Sequence, residues 1–517
     1  MSNRRDQRLK TVSLVILITL LGRVMGLGRE MLVAQTFGTS WEADALATAS
    51  ILPRLFFDAV FASAVSASFI PVYTETLEHE GRTVADRLAS SFFTIIGLAT
   101  ATLTILGMAF APQLVGLMEN FDAETARLTA SLLTIIFPSL FFTGLAFSMV
   151  GVLNSLGQFN IPAAMSIASN GIVIVYFLFF FRRFGVYGAA VAFALGWAAQ
   201  AVMQVPSLIK RGYRYRPSLR HPGLRKIFKL MLPVMASTWV APINMLIIVG
   251  FASALPGGVA SLNYAHQLFI MIAGIFVLSV TNVIFPEMSR LSVTGDRQAL
   301  CGVVRETTRT LLFLLIPMTL GLMLLSTPLI QLLFERQQFD AHSTELTASA
   351  LAFMSIGMVG YGIQNVLIRA FYAEKRGRMP LIAGLVSIVA NVVLCWVLVD
   401  AMGVAGLALA SAASLLTTAL VLIPAAHKLL GGGLVTGKLA LELVKMGFAA
   451  LVMGLAVWFV RDLLTEPLAG GNLLMRIGLV AAPTAIGLVV YFILAHVLGL
   501  DEIKVLLGYL RKRREGA

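Results

Sequence analysis

The sequence predicts an all-α integral membrane protein of about fourteen transmembrane helices, built as two six-helix repeat lobes with two further helices at the C-terminal end. Three observations carry that expectation: a mean hydropathy of +0.87, apolar runs of span length recurring from Thr11 to Ala495, and an internal repeat. Composition sets the solvent. With 58% hydrophobic and only 13% charged residues, the chain has too little polar surface to wrap its apolar side chains in water, which leaves the bilayer as its medium. The 44 glycines agree with this, because helices in lipid associate through small residues that let backbones approach.

A span needs about 20 predominantly apolar residues to cross the hydrocarbon core. Runs of that kind between loop breakers place helices near residues 11–37, 42–72, 88–111, 124–154, 161–181, 186–209, 227–254, 259–288, 302–334, 345–373, 380–399, 404–427, 439–460 and 474–497. The first run is longer than a signal-peptide core, carries Arg23 and Arg29, and shows no small-residue cleavage pattern before Gly38, so it reads as a retained span.

The repeat divides the chain. FDAETARLTASLL from Phe121 aligns with FDAHSTELTASAL from Phe339. At the offset that brings Phe121 onto Phe339, Pro162 meets Pro380, Gly185 meets Gly403, Gly188 meets Gly406 and Pro206 meets Pro424. Three segments follow: a first lobe at 1–215, a second at 216–430, and an addition at 431–517 that holds the last two spans and a basic tail. Six spans per copy is an even number, so both copies enter the membrane from the same side and are expected to face each other across a cleft.

The formal charge is +13, and its distribution separates a membrane role from a nucleic-acid role. Basic residues sit in alternate loops: Arg4, Arg5, Arg8 and Lys10, then the linker from Lys210 to Lys226, then Arg511 to Arg514. The loops near Asn120, Pro256 and Asp400 have almost none. By the positive-inside rule both termini and the linker are assigned to the cytoplasm, where they touch anionic lipid, and no nucleic-acid partner is called for. Cys301 and Cys395 stand far apart in no metal or redox spacing and read as buried thiols.

Ionisable groups within a span cost roughly 2.5 kcal/mol or more on insertion scales, so their placement carries information. The first span holds Arg23, Arg29 and Glu30, and the second holds Asp44, Arg54 and Asp58; the matching helices of the second lobe offer only His266 and Gln267. Arg23, Gly26 and Glu30 share one helix face. A guanidinium matches phosphate oxygens two at a time, so this half of the molecule suits a phosphate or diphosphate. Internal ion pairs, Arg29 with Glu30 or Arg54 with Asp58, are the competing use. Asp44 also suits the positive end of a helix dipole, and His266 suits a hydrogen-bonded buried imidazole. Arg369 and the EKRGR run suit lipid headgroups at a span's end. No phosphate-binding glycine loop, His and Cys metal cluster or nucleophile elbow is present, so neither an enzyme nor a cofactor is expected. Coupling to an ion or to the membrane potential stays open.

LLGRVMGLGREMLVAQTFGTSWEADALATASILPRLFFDAVFASAVSASFIPVY resembles the opening helices of the MurJ/MviN family of lipid II flippases, within the multidrug, oligosaccharidyl-lipid and polysaccharide exporter superfamily. The likeness continues through VLNSLGQFNIPA, LNYAHQL, VIFPEMSRL and IRAFYAEKRGRMP, and so spans nearly the whole chain. It implies fourteen spans, a V-shaped pair of lobes around a cationic central cavity, and a groove for the lipid tail formed by the last two helices. It puts Arg23, Arg29 and Asp44 on positions that the family uses in its cavity. Two departures stand out. The family's best-known branch has its second-helix arginine one turn later, where this chain has Phe57, and Arg54 is the substitute. His266 and Gln267 occupy places where the family commonly carries an acidic residue followed by a basic one.

The resemblance implies a flippase that moves a polyprenyl-diphosphate glycolipid of the lipid II type from the inner to the outer leaflet of a bacterial inner membrane by alternating access, with the cell-wall synthesis machinery as a further partner. The same fold also serves flippases for O-antigen or capsule lipids and multidrug exporters; an exporter of cationic drugs favours acidic cavity residues, whereas this chain concentrates arginines. A non-transporting membrane scaffold is a further alternative, for which charges placed at such cost would be an ornament.

Overall fold

The computed structural model describes residues 2–116, 121–468 and 472–503, with the side chains at 2–12, 55–63, 233, 236, 237, 466 and 468 outside that set. The basic runs at both termini, Asn120, Phe57 and Asp58 therefore lie outside the described side chains. Every regular element in the described residues is helical. The chain divides into two compact units, Met1–Ala260 and Ser261–Ala517.

The surface is more apolar than that of a water-soluble protein, and many polar side chains lie inside. Phe179, Trp396 and Leu455 are 74%, 71% and 67% exposed, while Gln204, Thr48, Asn391 and Ser355 are fully buried. Lipid is as apolar as leucine, so apolar side chains gain nothing by turning inward, and polar ones turn inward to find partners.

The first unit contains α1 (Ser2–Phe37), α2 (Trp41–Ala64), α3 (Ile70–His79), α4 (Arg82–Ala109), α5 (Ala111–Gly116), α6 (Ala123–Ile136), α7 (Pro138–Ser155), α8 (Asn160–Val175), α9 (Phe181–Val202), α10 (Val205–Lys210), α11 (Pro222–Thr238) and α12 (Val240–Ala252). α1 packs on α8 through small residues: a Cβ on Gly22 would lie 2.2 Å from Ser166 Oγ, and Asn170 Nδ2 donates to the Gly22 carbonyl at 3.1 Å. The Gly22 and Gly26 spacing thus serves close approach, as the sequence suggests. A wide π-type turn, Val65–Phe69, joins α2 to α3 and seats Phe69 against Phe92 at 4.5 Å between ring centroids. The linker is strapped to α4 by tyrosines. Tyr213 Oη lies 2.9 Å from Ser90 Oγ, and Tyr215 Oη lies 2.8 Å from Thr94 Oγ1.

The second unit contains all but the first turn of α13 (Gly258–Thr294), with α14 (Arg297–Leu333), α15 (Ala341–Ser355), α16 (Gly357–Ala373), α17 (Arg378–Leu429), α18 (Gly437–Leu468) and α19 (Leu473–Val497). α16 lies so close to α17 that a Cβ on Gly360 would stand 2.8 Å from the backbone of Leu415 and Leu416. The two C-terminal helices are fastened along the length of α14. Met446, Met453, Val457 and Tyr491 surround Phe313 and Leu325, Tyr491 Oη donates to the Phe313 carbonyl at 2.8 Å, and Arg461 donates to the Leu324 carbonyl at 2.8 Å.

Among the described residues eight helical runs are long and apolar enough to cross a membrane, and α15 with α16, bent by 44°, makes a ninth. Two of the eight each contain two of the expected spans: 160–210, with its break at Gly185, and α17, with its break at Gly403. The all-helical membrane class is as expected, while length and apolarity alone do not return the count of fourteen.

Candidate functional site

α1 meets α8 through small residues at Gly22 and Gly26, and it carries Arg23, Arg29 and Glu30 within its span. Arg23 is half-buried, and among the described residues its guanidinium has no hydrogen-bond or ion-pair partner. Glu30 shares its helix face in sequence, yet it pairs elsewhere. Its carboxylate is held by Arg29, and Glu30 itself is buried. Arg29 also lies over the Phe193 ring, 5.5 Å from the centroid, while its Nε is buried with no acceptor. For Arg29 and Glu30 the ion-pair alternative is therefore the one seen. Among the described side chains of α1, Arg23 remains the cation with no internal partner.

Asp44 sits in the first turn of α2 and is 3% exposed. Its two oxygens accept from the Gly257 N–H at 2.8 Å and from the Ala260 N–H at 2.7 Å. The first turn of a helix leaves N–H groups without carbonyl partners, and a carboxylate there satisfies them and complements the dipole. Asp44 thus meets a helix dipole, as the sequence suggests, but that of α13 and not of its own α2. Gly257 makes the arrangement possible: its φ is +72°, and a Cβ there would lie 2.6 Å from the Thr39 carbonyl oxygen.

Arg54 is exposed on α2, one residue after the in-helix Pro53. In the second unit His266 and Gln267 are half-buried on α13, and the His266 ring stacks near Phe269 with centroids 6.4 Å apart. Tyr264 is buried against Phe334 and Phe339. Arg369 donates to Asn282 Oδ1 at 2.9 Å and lies over the Phe285 ring, so it too has internal contacts. Among the described residues no group of three or more His, Cys, Asp or Glu side chains is placed to hold a metal ion.

Among the charged groups that sequence reasoning did not single out is the cluster at Arg309. Its guanidinium on α14 faces Glu442 at 3.5 Å, Asp501 at 3.6 Å and Glu502 at 2.5 Å. The signal was weak, since Arg309 sits in the polar stretch Arg305 to Thr310, and its partners come from α18 and from the segment after α19, both remote from it along the chain.

The fold defines the class: a multi-pass membrane protein with the helical architecture of the MOP-superfamily transporters. A multidrug resistance MATE family transporter of that superfamily, in an inward-facing conformation, superposes with a TM-score of 0.67 at 16% identity over 81% of this chain and 98% of its own. A closer likeness is the lipid II flippase MurJ in its inward closed conformation, with a TM-score of 0.79 and 25% identity over 95% of this chain and 99% of its own. The model of the family described as lipid II flippase MurJ matches residues 33–478. A "probable lipid II flippase MurJ" of Treponema pallidum (strain Nichols) is 30% identical over 80% of this chain and 81% of its own. The lipid II flippase MurJ of Burkholderia cenocepacia is 30% identical over 76% and 78%. The chain belongs to the lipid II flippase MurJ family.

Proposed function

We propose that this protein is a lipid II flippase, which turns a polyprenyl-diphosphate glycolipid from the inner to the outer leaflet of the bacterial inner membrane by alternating access. The observation that carries the reading is Arg23: a guanidinium held within the first span, without an internal partner among the described residues, in a chain of this family. A cation left unpaired there is costly, and an anionic substrate group repays that cost when it binds. Arg23 and Arg54 are the proposed diphosphate contacts. Arg29, tied to Glu30 and Phe193, holds the local field and offers its unused Nε–H. Asp44 fixes the start of α13, which carries His266 and Gln267; these supply neutral hydrogen-bonding groups to the sugar where the family commonly carries charge.

In this reading the basic linker and both termini are cytoplasmic, and the protein binds and releases its cargo without chemical change. The test is complementation of a strain depleted of its own lipid II flippase, scored with an assay for precursor reaching the outer leaflet. Rescue by the native chain, lost in Arg23→Ala at equal membrane level, is expected. Native protein that fails to rescue while restoring transport of a different polyprenyl-linked oligosaccharide would move the cargo assignment to that lipid.

A further inference from the structure

At the end of the first unit that carries the basic linker, a half-open cavity of about 460 Å³ lies where the start of α8 meets α10. Its polar lining is Gln158, Ser207, Lys210 and Arg211, and its apolar wall is Ile161, Met203 and Pro206. No carboxylate lines it. None of the charged residues assigned above to the substrate contributes to it.

Three features make this cavity a built site. Ser207 is more than nine-tenths buried, with 9% of its surface exposed, yet among the described residues its hydroxyl, which lines the cavity, has no hydrogen-bond partner. With no partner inside the described protein, the hydroxyl is available to bond a group that enters the cavity. Arg211 is pre-positioned: one nitrogen of its guanidinium donates to the Leu156 carbonyl at 3.1 Å, which aligns the rest of the fork at the rim. Lys210 forms no ion pair among the described residues, and it lines the cavity together with Ile161 of the first turn of α8, a helix start without a side-chain cap. The repeat supplies a comparison. In the register that pairs Pro206 with Pro424, Ser207 corresponds to Ala425 and Arg211 to Leu429, so the second copy of the motif lacks both the hydroxyl and the fork.

We propose that this cavity binds the phosphate of an anionic membrane lipid, with Ser207, Lys210 and Arg211 on the phosphate oxygens and the Ile161, Met203 and Pro206 wall against the glycerol and upper acyl carbons. Lipid is favoured over free phosphate because the apolar wall adjoins the polar lining and has no use for an inorganic ion. The site is independent of the transported cargo.

The experiment uses the full chain in neutral detergent, titrated with short-chain phosphatidylglycerol, short-chain diacylglycerol or inorganic phosphate and read by native mass spectrometry. One saturable phosphatidylglycerol is expected, with Ser207→Ala and Lys210→Gln each weakening it by about tenfold, the worth of one charge-assisted hydrogen bond, and Arg220→Gln in the exposed linker leaving it unchanged. Ser207→Ala removes one oxygen and leaves the packing intact, so it stays informative if a charge variant misfolds. Unchanged affinity in both Ser207→Ala and Lys210→Gln would overturn the proposal. So would diacylglycerol binding equal to that of phosphatidylglycerol, or inorganic phosphate binding as tightly as the lipid.

Discussion

Gly185 and Gly403 hold nearly the same unusual backbone geometry, φ +54° with ψ −149° and φ +54° with ψ −130°, at positions that the repeat places in register. Each breaks a long helical run where a loop between two spans is expected. Three residues on, Gly188 and Gly406 admit no side chain: a Cβ would lie 2.3 Å from Tyr176 Oη at the first and 2.3 Å from the Leu398 carbonyl at the second. The Asp122 and Asp340 carboxylates, in the same register, both cap the helix that follows. Local physics at matched positions thus supports descent of the two halves from one duplicated unit.

Alanine at Gly185 or Gly403 is expected to cost about 1–3 kcal/mol, the usual strain of placing a side chain in this region of backbone space. Thermal unfolding in detergent measures it. Equal losses at the two sites are the signature of a shared turn.

Arg23→Ala is expected to abolish transport and leave the unfolding temperature unchanged, because no internal contact of Arg23 is lost. Arg29→Ala is expected to do the reverse in part: it strands the buried Glu30 carboxylate and costs about 3 kcal/mol of stability. Comparing the two variants by complementation and by thermal unfolding separates substrate contact from internal support.

Asp44→Asn keeps one acceptor oxygen and loses the charge, so one of the bonds to Gly257 and Ala260 fails. The expected destabilisation is about 1.5–3 kcal/mol, typical of a hydrogen bond to a charged group. Faster hydrogen exchange at the first turn of α13 reports it directly.

Arg309→Met removes the one guanidinium that faces Glu442, Asp501 and Glu502 and leaves three carboxylates near one another. Lys438 still faces Asp501 at 3.1 Å and Glu442 at 3.6 Å, so the loss falls on the buried Glu502 carboxylate and loosens the junction of α14, α18 and the segment after α19, at an expected cost of about 3 kcal/mol. Protease sensitivity near residue 500 is the readout, and α1 to α12 should be unaffected.

His221 caps α11, its Nδ1 accepting the Gly223 N–H at 3.1 Å, and burial pushes its pKa below the usual 6.5, with Arg87 acting in the same direction and Glu80 against it. The folded state favours the neutral ring, so the cap is fully present above about pH 6.5 and is lost as pH falls through the lowered value. Amide protection at Gly223 should fall with it. His221→Asn keeps a capping acceptor and should remove the pH dependence.

Hydrophobic periodicity and composition determined the membrane class, because a chain this apolar has no other solvent. Repetition also made the helix breaks legible in advance: Gly185 and Gly403 recur in register because a backbone that only glycine adopts leaves the same letter in each copy. The charged residues of the first two spans were legible as costly, but their uses were not. Tertiary structure alone decided that Glu30 goes to Arg29 and not to Arg23, that Asp44 serves the start of the distant helix α13, and that Ser207 opens into a cavity beside Lys210 and Arg211. Spacing along a helix tells which side chains share a face. The partner each one takes depends on which other helix is packed there, and that is set by close contacts such as Gly22 on Ser166, whose two members lie far apart in the chain.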